Sequence, residues 1–140
     1  TPMDDSCRAL ANTIGERVVA RDFEGLRNLC VSWLKDRSSV IGLARMIDDA
    51  AAGGPPAKTW TVDESPVDLT ALRKPDAYGP PTSALDSRIT DANFRGWICV
   101  QFQPDPGNEE GLNACFDLWF AAVDERGECR IGYIEAVEPG

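Results

Sequence analysis

Histidine is absent from this 140-residue chain, and with it go the commonest general base, the commonest metal ligand and the ordinary Ser-His-Asp triad. No C-x-x-C spacing occurs among Cys7, Cys30, Cys99, Cys115 and Cys129, so this odd set encodes neither a zinc knuckle nor a disulfide framework. Long apolar runs are missing too. The longest, Leu118 to Val123, is far below the roughly 20 residues that cross a bilayer. Positive charge is scarce: 14 basic residues face 23 acidic ones, giving a net charge of -9, and the isoelectric point is about 4.4. That balance lacks the phosphate-neutralising footprint of a nucleic-acid binder. Neither G-x-G-x-x-G nor G-x-x-x-x-G-K-[ST] is present, so no nucleotide-binding loop is expected. The expectation is a soluble protein with no nucleic acid, membrane, metal or cofactor among its partners.

What is present describes a folded globule. Hydrophobic residues make up 43% and charged residues 26%, the balance of a single domain spanning residues 1–140. Each cysteine falls among apolar neighbours, where a thiol behaves as a small hydrophobe. They read as reduced, and a cytoplasmic setting follows. The start, TPMDDSCRAL, has neither the basic opening nor the apolar centre of a signal peptide. The acidic stretch Asp105 to Glu110, with Asn108, does not match the spacing of a calcium loop and reads as a solvated turn.

The first third is helical. Cys7, Leu10, Ala11, Ile14 and Val18 recur at three- and four-residue steps, one stripe of a helix capped by Asp4, Asp5 or Ser6. Asp22 is a fresh N-cap, and Phe23, Leu26, Leu29, Cys30, Trp33 and Leu34 form a second stripe, which either continues the first helix with a bend or follows a tight turn. Ser38 or Ser39 caps a third helix with the face Val40, Leu43, Ala44, Ile47 and Ala51, which Gly53-Gly54-Pro55-Pro56 stops. A short strand follows at Lys58 to Val62. Residues 63–90, with Pro66, Pro75, Pro80, Pro81 and Gly79, resist regular structure apart from one turn around Asp68 to Arg73, and serve either as a lid or as a meander over the sheet edge.

The last third reads as an antiparallel meander: Arg95 to Gln103, Leu112 to Asp124 and Glu128 to Val137. A three-residue loop, Glu125-Arg126-Gly127, pairs Asp124 with Glu128. That register sets Asp117 opposite Glu135, Trp119 opposite Tyr133 and Ala121 opposite Ile131 on a mixed face. Leu118 then meets Ile134, Phe120 meets Gly132 and Phe116 meets Ala136 on an apolar face that takes the helices. Two opposed carboxylates repel, so burial of Asp117 and Glu135 raises the pKa of one, and with Tyr133 they are the catalytic candidates if the chain is an enzyme. Cys115, Trp119, Ala121, Ile131 and Tyr133 are the candidate interface, because a strand apolar on both sides needs cover on both.

Helices first, a short strand, an irregular stretch and a long meander together resemble the NTF2-like, or cystatin-like, α+β cone superfamily. The phrase ARDFEGLRNLCVSWL, Ala20 to Leu34, is similar to its small-Asp-aromatic entry into the second helix. The resemblance implies N-terminal helices packed on a curved antiparallel sheet, and frequent dimerisation through that sheet. Members include ketosteroid isomerases, polyketide cyclases, epoxide hydrolases and immunity proteins, among which fold alone does not choose. The missing histidine weakens the cyclase branch. The expected function is a non-catalytic association domain, homodimeric through its sheet and recognising a protein partner, with a basic protein among the candidates, as acidic immunity proteins do. The alternative is a small-molecule enzyme or carrier of the cyclase, isomerase or hydrolase type.

Overall fold

A computed structural model describes residues 5–63, 85–104 and 116–137. Four helices precede a four-stranded antiparallel sheet of order β1-β2-β3-β4, so the α+β class follows as read. No helix among the described residues is long and apolar enough to cross a membrane.

Helix α1 (Asp5–Val19) buries Cys7, Leu10, Ala11, Ile14 and Val18, the stripe its spacing requires. A tight turn through Arg21, at φ 56°, separates it from α2 (Phe23–Arg27), whose N-cap Asp22 accepts the Gly25 N–H at 2.9 Å. The second stripe does not make one helix. After Arg27 the chain leaves helical geometry, and Val31 N donates to Ile131 O while Ile131 N donates to Leu29 O, both at 2.9 Å. This tertiary pairing extends Leu29 to Val31 along the last strand, and α3 (Ser32–Arg37) begins anew. Helix α4 (Val40–Ala51) opens on Ser39, whose Oγ accepts the Gly42 N–H at 2.9 Å. It closes one residue before the glycines, with Ala52 itself left-handed at φ 51°.

Strands β1 (Thr59–Asp63), β2 (Phe94–Gln103), β3 (Phe116–Glu125) and β4 (Glu128–Val137) carry side chains alternately to two faces. On the inner face Ile98, Val100, Phe102, Leu118, Phe120, Ala122 and Ile131 join the helix stripes in one apolar core. No polar or charged residue is fully buried among the described residues. Helix α1 fits closely to β1: a Cβ on Gly15 would collide with the Trp60 indole, whose Nε1 donates to Asn12 Oδ1 at 3.2 Å.

Three expectations need correction. First, the cysteines are not all reduced: Cys7 at the start of α1 and Cys129 on β4 form a disulfide, with Cα atoms 5.3 Å apart. The inference to the cytoplasm rested on reduced thiols and loses that support. Second, the hairpin register differs. The β3–β4 loop has two residues, Arg126 at φ 55° and Gly127 at φ 84°, so Glu125 pairs with Glu128, as type I′ geometry with two left-handed residues dictates. A bulge at Gly132 then shifts the pairing once more, between Ala121 and Ala122 on β3. The outcome sets Asp117 opposite Val137, Trp119 opposite Glu135, Ala121 opposite Tyr133, Leu118 opposite Ala136 and Phe120 opposite Ile134. Ile131 is thereby turned to the helices with Ala122, away from the interface set.

Third, the outer face is not left wholly to a second subunit. Val31, Ile89, Phe94, Trp97, Ala121 and Val123 form a second buried cluster on it, so the chain's own 85–94 segment and Trp33 of α3 cover the half nearest the β3–β4 turn. Gly132 makes this possible, since a Cβ there would stand 2.8 Å from Val123 Cγ1 and 3.1 Å from Ile89 Cδ1. The 85–94 strap is pinned by Arg88, whose guanidinium lies 4.6 Å from the Trp33 ring centroid and binds Asp86 through two 2.9 Å hydrogen bonds. Arg37 reaches the same carboxylate at 3.1 Å. These bonds, those of Arg88 foremost, hold the Asp86 carboxyl well below the usual carboxylate range. Of the lid or meander expected over residues 63–90, residues 64–84, including the turn expected at Asp68 to Arg73, lie outside the described residues.

Candidate functional site

The uncovered half of the outer face is built row by row from the register. Asp63, Cys99, Trp119 and Glu135 stand opposite one another across all four strands. The adjoining row is Thr61, Gln101, Asp117 and Val137. On the other side runs Trp97, Ala121 and Tyr133, where the strap begins. Trp97 packs edge-on against Tyr133 at 6.0 Å and against Phe94 at 5.9 Å. Trp119, Asp117, Tyr133 and Glu135 are each half-buried, whereas Trp97, Cys99 and Ala121 are buried.

Electrostatics on this face run one way. Burial raises the Asp117 pKa above its ordinary value, and the negative charge of Asp63 raises it further. Burial likewise pushes the Cys99 thiol up to about 12, helped by Asp117 and Asp63, so it stays protonated and inert. Tyr133 donates its hydroxyl to Glu135 Oε2 at 3.2 Å. Burial, then the Glu135 charge and that hydrogen bond, push the phenol up to about 12. Among the described residues, two basic groups that strand order brings near are engaged elsewhere: Arg95 pairs with Asp124 at 3.8 Å, and Arg130 holds Glu128 and the Asn28 carbonyl.

Of the residues selected from sequence, Asp117, Trp119, Ala121, Tyr133 and Glu135 share this face. Asp117 and Glu135 are not direct partners but lie diagonally, with Trp119 beside one and opposite the other. Cys115 lies outside the described residues. Cys99 and Gln101 were missed as site members, and Asp63 was not placed on this face. The signal for Asp63 was the alternation Thr59, Thr61, Asp63 against Trp60 and Val62, which extends the strand one residue past Val62. Among the described residues no group of three or more His, Cys, Asp or Glu is placed to hold a metal ion.

Fold and face together define an α+β domain with an acidic, tryptophan-bearing sheet surface half-covered by its own strap. No protein-family model, curated protein or solved structure matches this chain.

Proposed function

We propose that the chain is a non-catalytic association domain of NTF2-like architecture that recognises a basic protein partner through the uncovered half of its outer sheet face. The carrying observation is the placement of Asp63, Asp117 and Glu135 around half-buried Trp119 and Tyr133. An aromatic anchor ringed by charge of one sign suits a partner of the opposite sign, which the field of a chain at -9 also steers. Homodimerisation through the same face is the second mode the sheet offers, and it requires like-charged carboxylates to approach. In further support, the interior between helices and sheet is lined by apolar side chains among the described residues, whereas catalysis in such a fold calls for polar groups converging there.

A catalytic reading retains one specific observation, the raised pKa of Asp117 on the face that also holds the Tyr133–Glu135 hydrogen bond, suited to acid/base work on a small molecule. The Cys7–Cys129 bond supports maturation in an oxidising compartment, since such bonds are rare where thiols are kept reduced.

Affinity capture from the native source, run with the wild type, Trp119→Ala, and the Asp117→Asn/Glu135→Gln pair, tests the reading. One basic protein retained in equal stoichiometry by the wild type and lost from both variants is the expected result. Retention that ignores both sets of substitutions overturns it, and so does sedimentation showing a wild-type dimer that Trp119→Ala dissociates.

A further inference from the structure

On the helix side of the sheet, the C-terminal ends of α1 and α4 and the start of β3 line a cleft of about 440 Å³. That volume is within the range of about 300–1,000 Å³ typical of small-molecule sites. Its floor is apolar, built from Val18, Ile47 and Phe116, all buried. Its rim is charged, with Arg21, Asp48 and Lys58.

The three rim groups differ in availability. Arg21 is committed to Asp48 by two hydrogen bonds of 3.0 and 3.1 Å and lies 5.0 Å from the Phe23 ring centroid. These two charges cancel locally. Lys58 contributes its backbone N–H to Gln103 O at 2.8 Å, and among the described residues no carboxylate pairs with its ammonium. Among the described residues the cleft lining therefore carries a net positive charge, in a protein whose total is -9. An oily floor beneath one available cation selects an anion with an apolar body. The ammonium fixes the head group, and burial of the tail supplies the larger part of the free energy at about 0.8 kcal/mol per buried methylene.

We propose that this cleft binds a small amphipathic carboxylate, its head group on Lys58 and its tail over Val18, Ile47 and Phe116. Three ligands sharing one ten-carbon tail separate the contributions: decanoate, decanol and decyltrimethylammonium, each titrated below its micelle concentration while backbone amide resonances are followed. Saturable shifts at Val18, Ile47 and Ala57 with decanoate, about tenfold weaker with decanol and absent with the cation, are the expected result. Lys58→Glu should lose decanoate binding about tenfold or more while leaving decanol unaffected, and Lys58→Arg should retain both. Equal binding of all three ligands, shifts confined to the outer sheet face, or no saturable shift with decanoate would each overturn the proposal.

Discussion

Asp117 concentrates the electrostatics of the outer face in one side chain. Its ordinary pKa is near 3.8, and burial together with Asp63 raises it in the folded protein. For an acid the sign follows directly: the folded state binds the proton more tightly, so this group's contribution to stability is greatest below 3.8 and declines as pH rises through the raised folded value. Asp117→Asn carries no such loss. The melting temperature of the variant should draw ahead of the wild type between pH 3.5 and 7, by a modest amount because the carboxylate is partly solvated. Paired thermal melts across that range check it, and a gap that stays constant or narrows toward neutral pH would contradict the assignment. Sequence reasoning marked Asp117 and Glu135 as an opposed pair of which burial raises one. Burial is the larger cause at Asp117, and the charge that adds to it is that of Asp63, on a strand whose pairing with β2 no local pattern specifies.

At the scale of elements, the caps were the legible part and the joints were not. Asp22 and Ser39 cap α2 and α4 because a short oxygen-bearing side chain before an apolar periodicity has one good use there. Strand β4 runs between the residues its pattern marks, Glu128 and Val137. The β3–β4 turn was misread because the left-handed position was assigned to Gly127 alone, whereas Arg126 adopts it as well. A non-glycine side chain there is strained, which makes a direct test: Arg126→Asn converts the loop to Asn-Gly, the pair preferred at these two positions. It should raise stability by about 0.5–1 kcal/mol in urea unfolding with an unchanged m-value. A decrease would speak against the two-residue turn. Gly132 offered a signal, since a glycine inside a strand pattern often marks a bulge or a close approach, and here it does both. The break after Arg27 offered none, because Leu29 and Val31 are drawn out of the helix by Ile131, about one hundred residues downstream.

Across the whole molecule the strongest single constraint is covalent. Cys7 and Cys129 are 122 positions apart, and no spacing rule could have paired them from five cysteines. Closing so long a loop in the unfolded chain stabilises the native state by about 4–5 kcal/mol in the chain-entropy account. Reducing agent, or the double variant Cys7→Ser/Cys129→Ser, should therefore lower the calorimetric melting temperature sharply. Cys30 and Cys99, with thiols pushed up to about 11 and about 12, should stay unalkylated in the folded protein. An identical melt with and without reductant would show the bond absent. The broad architecture was readable because apolar periodicity switches once, from helical to alternating. What the reading withheld was contact across distance: the bond, the bulge, and the strap that folds back over the outer face.

The same bond governs how the protein would bear a mechanical load. Pulled by its two ends, the oxidised chain transmits tension from Cys7 to Cys129 directly, and everything threaded between them is shielded. Strands β1 to β3 and helices α2 to α4 lie between the two cysteines and would remain slack, while the load falls on the stretch of β4 from Arg130 to Val137, which would peel from β3.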